Sequence, residues 1–163
     1  MKKNDGRFIT AIFCDDIRHE VGNKFSYMGC YQSEIIVQMV PVVLPKLCVF
    51  ASVSTPKERP FKSLILRVVQ DDDVEFARVE IPQEGLAGTG QIFDETSTRK
   101  TINTAIVFSP FPVEKPTMLR LMATTEEGEI TGPRVLIKKV AATQEHAVQP
   151  AKKSKAVKRR TTK

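Results

Sequence analysis

Residues Leu47–Val53 read LCVFASV and place apolar side chains on both faces of an extended chain. Successive side chains of a β-strand point to opposite faces, so this pattern buries Val49 on one face and Phe50 on the other. A strand with one face in solvent alternates apolar and polar residues instead. We therefore predict that Leu47–Val53 is a central strand, covered on both sides by other parts of the chain.

Short apolar or alternating segments precede and follow this strand, separated by proline, glycine or acidic turn residues. They are Phe8–Cys14, Phe25–Tyr31, Ile35–Val43, Leu64–Val69, Val74–Ile81, Thr101–Phe108, Met118–Thr124 and Arg134–Val140, with one short strand expected at Gly90–Phe93. Helical spacing of apolar residues does not extend beyond a turn or so. Repeated short strands of this kind predict an all-β fold, an antiparallel sandwich or small barrel of about seven to nine strands.

Besides a final hairpin of Met118–Thr124 with Arg134–Val140, two hairpins with polar connections are expected within this fold. The first pairs Phe8–Cys14 with Phe25–Tyr31 across an irregular connection, Asp15–Glu20. The second turns at Asp71–Asp73, which gives it an acidic tip. Both connections contain residues that favour turns over strands.

The positive charge of the chain is concentrated at its C-terminal end. The net charge is +6, but residues 151–163 contain seven of the 25 basic residues and none of the 19 acidic ones. Positions 1–150 therefore hold 18 basic and 19 acidic residues. The folded part is close to neutral, so its composition does not predict a nucleic-acid-binding surface.

We divide the chain into a β-sandwich domain, residues 1–140, and a linker with a disordered basic tail, residues 141–163. The tail has little apolar surface to bury, so ordering it would not offset the lost entropy. It is interpreted either as a solvated terminus or as an electrostatic arm for nucleic acid or another acidic surface. Because the tail has no aromatic residue, any binding of nucleic acid would be insensitive to base sequence. The candidate nucleic-acid-binding residues are Lys152, Lys153, Lys155, Lys158, Arg159, Arg160 and Lys163.

Several motifs of the folded part occur in an order that is found in a known family. The motifs are FCDDIR at Phe13–Arg18, GNKFSYMGCY at Gly22–Tyr31, LPKL at Leu44–Leu47, and a final hairpin with Phe111–Val113, Glu129–Ile130 and Val135–Ile137. This order resembles a family of small uncharacterised proteins from bacteria and their phages, a domain of unknown function. The resemblance leaves out the tail and implies an antiparallel immunoglobulin-like β-sandwich. It carries over no activity and no catalytic residue.

The densest group of reactive side chains is Cys14, Asp15, Asp16, His19 and Glu20. A cysteine near a histidine could act as a nucleophile with its base, and the acidic residues with His19 could ligate a metal ion. A cysteine within a strand is more typical of a small buried apolar residue. Since positions 1–140 contain no second histidine, we interpret the group as a buried thiol followed by a solvated connection.

Two further patterns superficially suggest ligand sites. The acidic residues at positions 71–73 and Glu75 could attract Ca²⁺, but they lack the spaced ligands and the glycine of a calcium loop. The glycine cluster at positions 85–90 is not followed by the lysine and hydroxyl residue of a phosphate-binding loop. We interpret the first as a solvated hairpin tip and the second as a mobile loop.

The three cysteines have neither zinc nor redox spacing, and the start of the chain is a poor signal peptide. These features predict reduced thiols and a cytoplasmic location. No apolar run is long enough for a transmembrane helix, so no membrane partner is predicted.

Fold class and the lack of a catalytic set together predict a non-enzymatic β-sandwich interaction protein that binds a macromolecular partner, expected to be a protein. Its expected contact surfaces are an exposed sheet edge and the loops Pro56–Pro60 and Pro82–Arg99. We predict no cofactor, no metal ion and no small-molecule substrate. One alternative is a nucleic-acid-associated accessory protein acting through residues 152–163. The other is an enzyme or metal site at Asp15–Glu20.

Overall fold

The computed structural model describes residues 6–22, 24–87 and 96–140. These residues form twelve strands and one helical turn. The strands are β1 (Phe8–Cys14), β2 (Asp16–Glu20), β3 (Lys24–Met28), β4 (Glu34–Val37), β5 (Val42–Leu44), β6 (Leu47–Pro56), β7 (Leu64–Gln70), β8 (Val74–Glu80), β9 (Arg99–Phe108), β10 (Phe111–Val113), β11 (Thr117–Thr125) and β12 (Gly128–Lys139). The helical turn, α1 (Gln83–Leu86), follows β8. The strand expected at Gly90–Phe93 and the tail, residues 141–163, lie outside the described residues.

Two main sheets hold the apolar core between them. One has the strand order β1-β6-β9 and the other the order β4-β12-β11-β7-β8. Val49 of β6, Leu66 of β7 and Leu121 of β11 belong to this core and have no exposed surface. Alternate residues of each strand face the opposite sheet, as in other β-sandwiches. The prediction of an all-β fold is confirmed. Within the described ranges, no helix is both long and apolar enough to cross a bilayer.

The central strand β6 is covered on both faces, as the sequence predicts. Its inner face contributes Val49 and Val53 to the core. On its outer face Phe50 is only 8% exposed, because the hairpin of β2 and β3 lies over it. The rings of Phe25 and Tyr27 each lie 5.1 Å from the Phe50 ring. Aromatic pairs of this kind contribute about 0.5–1.5 kcal/mol beyond the area that they bury.

The first hairpin differs from the prediction. Asp16–Glu20 is strand β2 and pairs with β3, whereas β1 pairs along its whole length with β6. A single bridge, between Phe13 and Tyr31, joins β1 to the segment after β3. The β1–β6 register sets Ile9 opposite Val53 and so buries apolar residues of both strands. The polar sequence of β2 has no apolar alternation, and its strand form depends on pairing with β3 and on ring contacts such as that of His19 with Phe25.

The five-stranded sheet is mixed. The short strand β4 runs parallel to the end of β12, while the other neighbours in this sheet are antiparallel. Apolar patterning does not report strand direction, so the sequence could not show this pairing. The described residues contain more strands than the seven to nine predicted. Strands β2, β5 and β10 were not predicted separately, because they are short and are either polar or close to prolines. Immunoglobulin-like connectivity stays a prediction.

A buried arginine, Arg7, ties the chain before β1 to two other segments. Its side chain is 1% exposed. Its Nε donates a hydrogen bond to Thr55 Oγ1 over 3.1 Å, and its Nη1 donates to Thr125 Oγ1 over 3.3 Å. Its Nη2 donates to Glu126 Oε1 over 2.6 Å, and the guanidinium lies 4.7 Å from the centre of the Phe61 ring. Because the charge is paired and hydrogen-bonded, its burial is compatible with a stable fold.

Candidate functional site

The reactive group predicted at the end of β1 is divided between the interior and the surface. Cys14 is fully buried and lies directly opposite Cys48, which is buried on β6. Burial raises the pKa of Cys14 to about 12, and repulsion from Cys48, Cys30 and Asp15 adds to the effect. A thiol with this pKa stays protonated at neutral pH and is a weak nucleophile. Cys14 therefore has the properties of a small buried apolar residue.

The two carboxylates after Cys14 are held by neighbouring side chains. Tyr31 donates its hydroxyl hydrogen to Asp15 Oδ1, and burial together with this bond raises the pKa of Tyr31 to about 12. Lys46 Nζ donates to Asp16 Oδ1 over 2.9 Å, and Arg18 Nε donates to Asp16 Oδ2 over 3.4 Å. The hydrogen bond from Lys46 is the main reason that the pKa of Asp16 lies below its ordinary value. Both carboxylates thus fix the connection between β1 and β2.

His19 lies on the exposed part of β2, away from the buried thiol. Its ring packs against Phe25 with 4.5 Å between ring centres and an interplanar angle of 60°. Among the described residues, His19 takes part in no hydrogen bond or ion pair. The same ranges of the chain contain no group of three or more metal-ligating side chains. The structure therefore does not bring Cys14 and His19 together as a nucleophile and its base.

The acidic tip between β7 and β8 is bonded to β11. Asp71 and Asp72 both adopt positive φ angles, 51° and 63°, which aspartate tolerates in tight turns. Asp71 Oδ1 accepts hydrogen bonds from Met118 N over 2.9 Å and Thr117 Oγ1 over 2.8 Å, and these lower the pKa of Asp71. Arg120 Nε donates to Asp72 Oδ1 over 2.7 Å. The tip is solvent-exposed, as predicted, and it is also bonded to β11 through Asp71 and Asp72.

A groove of about 460 Å³ lies beside this tip on the five-stranded sheet. Arg67 lines it and forms ion pairs with Glu75 and Glu129. Asp72, also in the lining, is paired with Arg120. The lining holds two basic residues, Arg67 and Arg120, and four acidic residues, so the groove has a net charge of −2 that the ion pairs only partly offset.

The loops named by the sequence differ in how they are held. The segment Pro56–Pro60 is closed by a hydrogen bond from Thr55 Oγ1 to the Arg59 carbonyl oxygen over 2.6 Å, and Arg59 pairs with Glu127 over 2.5 Å. Gly85 lies in α1, and the later glycines of its cluster lie outside the described residues. The basic candidates of the tail also lie outside them: Lys152, Lys153, Lys155, Lys158, Arg159, Arg160 and Lys163.

The edge strands of the two main sheets differ in how well they are protected against pairing with strands of other chains. Strand β4 has only four residues. Strand β8 carries Glu75, Arg78 and Glu80, and its pairing with β7 contains a register shift. Strand β1 lies close to β12, since a Cβ added at Gly132 would be 3.0 Å from the Ile9 side chain. Short length, charge, bulges and covering elements all discourage pairing with other chains.

Within the part of the chain that the structure describes, strand β9 has neither a bulge nor a covering strand. It has ten residues and pairs with β6 in an unbroken register, from Arg99 opposite Pro56 to Phe108 opposite Leu47. After Lys100 it contains no charged residue. No strand pairs with its other side among residues 6–22, 24–87 and 96–140. We call this unpaired side of β9 the free edge.

The side chains of β9 alternate between the core and solvent. Ile106 is buried, and Ile102 packs against the core from the same face. On the opposite face Asn103, Ala105 and Val107 are exposed, Val107 to 52%. A long uncharged edge of this kind is a template on which another strand can pair.

The comparisons with known proteins concern the sandwich as a whole. A family model described as "Family of unknown function (DUF6941)" matches residues 9–137. The chain belongs to this family. The match begins in β1 and ends in β12, so the family region includes both main sheets and β9 and leaves out the tail. The resemblance to an uncharacterised domain family is thereby confirmed. No curated protein and no solved structure was found to match the chain.

The sequence predicted that Thr101–Phe108 is a strand and that an exposed sheet edge is a contact surface. It did not predict that this strand is the exposed edge. The available signal was the run TINTAIVF at Thr101–Phe108, which has no charge and no proline. Another edge strand with exposed apolar residues, Val74–Glu80, contains three charged residues. Sequence reasoning also missed Arg7, because one arginine before an apolar strand gives no sign that it is buried.

Proposed function

We propose that the protein is a non-enzymatic binding module whose free edge receives an extended segment of a protein partner. In strand addition, backbone hydrogen bonds supply affinity and the side chains alongside supply specificity. The observation that carries this proposal is strand β9 itself, which is ten residues long, in unbroken register with β6 and uncharged from Thr101 onward.

The surroundings of β9 support selective binding. Asn103, Ala105 and Val107 line one face next to the free edge and are exposed. An added strand would place alternate side chains beside them, so small and β-branched residues of the partner would fit there. Asn103 accepts a hydrogen bond from Ser52 on β6, which fixes its side chain.

The non-enzymatic part of the proposal is supported by the condition of the reactive side chains. Cys14 is buried and protonated, and His19 packs on an aromatic ring. The proposal includes a cytoplasmic location, supported by the unpaired state of Cys14, Cys30 and Cys48, since such compartments keep thiols reduced.

The proposal is tested by comparing two lysine variants of the full chain. Val107→Lys places a charge beside the free edge, where charged side chains discourage pairing. Val74→Lys is the matched control, because Val74 lies on β8, an edge strand of the other main sheet, and its exposure of 57% is close to the 52% of Val107. Each protein, with an amino-terminal tag, is used to capture partners from nuclease-treated lysate. The protein that the unaltered chain retains is then purified and titrated against all three.

We expect one identified protein to bind the unaltered chain and Val74→Lys with similar affinity and to bind Val107→Lys at least tenfold more weakly, a difference of about 1.4 kcal/mol. Thermal unfolding of each variant confirms that the fold is retained. Equal affinity of the partner for Val107→Lys and Val74→Lys would contradict the proposal that the free edge is the binding surface.

A further inference from the structure

The middle of β9 is partly symmetric about Thr104. Isoleucine stands two residues before it and two residues after it, as Ile102 and Ile106, and the small or polar residues Asn103 and Ala105 lie between. Ile102 and Ile106 share the inner face of the strand, while Asn103 and Ala105 share the outer face. A strand that reads alike in both directions can pair with a copy of itself in the antiparallel sense.

Symmetry limits the registers that such a pair could adopt. In a two-fold pair whose axis is perpendicular to the sheet, the residues opposite each other lie on the same face. Successive residues of a strand face opposite sides of the sheet, so the two-fold axis must lie between one residue and the same residue of the second copy. An axis placed between two successive residues would set residues of opposite faces against each other. For the ten-residue strand β9, the registers that pair most of its length are those centred on Asn103 and on Thr104.

The register centred on Thr104 is the more favourable of the two. It sets Ile102 opposite Ile106 of the second copy on the inner face, and it sets Thr101 opposite Val107 on the outer face. Both registers set Lys100 opposite an apolar residue of the inner face, Phe108 in the register centred on Thr104 and Ile106 in the register centred on Asn103. The register centred on Asn103 would set Ile102 opposite Thr104 instead of Ile106. Because paired β-branched apolar residues stabilise a sheet, the pairs of Ile102 with Ile106 favour the register centred on Thr104.

Charge also permits the register centred on Thr104. Arg99 and Lys100 are the only charged residues of β9, and both lie at its beginning. In an antiparallel pair the two beginnings lie at opposite ends, about 27 Å apart for Lys100 and its copy at the usual rise per residue. The like charges of the two copies are therefore well separated and screened by salt.

We infer that the free edge pairs with β9 of a second copy of this chain, about a two-fold axis at Thr104, and so forms a continuous sheet with the order β1-β6-β9-β9-β6-β1. This inference rests on the proposed function, because it uses the same edge. It names the partner segment as residues 99–108 of an identical chain. Two-fold pairs of identical surfaces are the commonest form of oligomer.

Cysteine cross-linking tests the register. All variants carry Cys30→Ser, because Cys30 is the exposed native cysteine, whereas Cys14 and Cys48 are buried. Thr104→Cys places two thiols opposite each other at the axis, within the distance that a disulfide requires. Val107→Cys is the control, because the two copies of residue 107 would lie about 20 Å apart in this register. The full-length proteins are treated with the thiol oxidant diamide and analysed without reductant, and sedimentation gives the mass of the unaltered chain.

We expect the unaltered chain to sediment as a concentration-dependent dimer, and Thr104→Cys to form at least tenfold more covalent dimer than Val107→Cys. A monomer at every concentration would overturn the inference, and so would equal cross-linking of both variants or preferential cross-linking of Val107→Cys. The proposed function fails separately, when a protein partner binds Val107→Lys and Val74→Lys equally well. If Val107→Lys no longer bound the partner protein but the unaltered chain were monomeric, the proposed function would be supported and the dimer would be excluded.

Discussion

Arg7 is a charged side chain in a buried position, and its partners determine what it contributes. Its guanidinium joins Thr55, Thr125 and Glu126, which come from two distant parts of the chain. Removing one member of a buried, hydrogen-bonded pair leaves polar groups without partners, and this is more destabilising than the net value of the pair.

We expect Arg7→Met to lower the free energy of unfolding by about 3 kcal/mol. Arg18→Met is the matched control, because the Arg18 side chain is 61% exposed and its contact with Asp16 is long, at 3.4 Å. An exposed pair of this kind contributes about 0–1 kcal/mol. Urea denaturation of both variants measures the difference. If Arg7→Met were as stable as Arg18→Met, the bonds of Arg7 would not be important for the fold.

Asp71 provides a test that depends on pH. Hydrogen bonds from Met118 and Thr117 hold the pKa of Asp71 below its ordinary value, so its ionised form stabilises the folded state. Such a contribution is fully present above the ordinary aspartate pKa of about 3.9 and is lost as the pH falls through the lower folded value. Asparagine tolerates the positive φ of this position, so Asp71→Asn removes the charge and keeps the turn.

We expect Asp71→Asn to be about 1 kcal/mol less stable than the unaltered chain at pH 7, since Asp71 is partly exposed and its bonds are partly screened. The difference should stay constant down to about pH 4 and close at lower pH. Asp73→Asn, at the same tip, serves as the control and should match the unaltered chain throughout. Denaturant unfolding across this pH range measures both variants. A difference that widens as the pH falls would contradict the assigned role of Asp71.

At the scale of elements, β9 has two sides with different partners. Backbone N–H groups of successive residues in a strand point to opposite sides, so one of two neighbours donates to β6 and the other points to the free edge. Proline has no N–H group and is tolerated only on the unpaired side of an edge strand. This alternation allows the free edge to be blocked while the bonds to β6 stay intact.

We expect Thr104→Pro and Ala105→Pro to differ in stability by at least about 2 kcal/mol, because only one of them removes a ladder bond to β6. The more stable variant should keep the fold and lose binding at the free edge. Thermal unfolding identifies that variant, and titration against the captured partner measures its binding. Equal destabilisation by both prolines would mean that both sides of β9 are already hydrogen-bonded.

The elements also show which parts of the structure the sequence could predict. Strands whose apolar pattern follows from burial are predictable, and Leu47–Val53 and Met118–Thr124 are confirmed within β6 and β11. Asp16–Glu20 was not predicted, because its strand form depends on pairing with β3 and on the rings beneath it. The identity of the free edge depends on the order of strands in the sheet, and a residue pattern does not contain that order.

The candidate site was predictable to a smaller extent. The expectation of a sheet edge came from the fold class, and the run Thr101–Phe108 was recognised as a strand. The reactive group at Cys14–Glu20 could not be interpreted from spacing alone, because burial of the thiol and the direction of His19 depend on the fold. Local sequence therefore showed which residue types were present, and the packing determined which of them are accessible.

At the scale of the whole molecule, the folded part and the basic tail should act independently. Among the described residues, the hydrogen bond nearest the C-terminal end is donated by Val140 to the Val37 carbonyl oxygen. Truncation after Val140 keeps this bond, and we expect it to change the free energy of unfolding by less than about 0.5 kcal/mol. Denaturant unfolding of residues 1–140 measures this. A larger loss of stability would show that the tail packs on the sandwich.

The same truncation separates nucleic-acid binding from protein binding. If about five of the seven basic side chains of the tail contact phosphates, the affinity of the full chain for duplex DNA should fall with a log–log slope on salt of about −4 to −5. Residues 1–140 should show no such affinity and should bind the protein partner as the full chain does. Retained DNA binding by residues 1–140 would place that activity in the folded part.

The central claim, that β9 has a free edge used for binding, is tested most directly by amide hydrogen exchange resolved along Arg99–Phe108. In the dilute, unbound protein, alternate amides of β9 should exchange quickly, while those between them, bonded to β6, exchange slowly. The fast amides should become protected when the partner strand binds, whether it comes from another protein or from a second copy. Amides that are all slow in the dilute protein, or that stay fast in the complex, would contradict the claim.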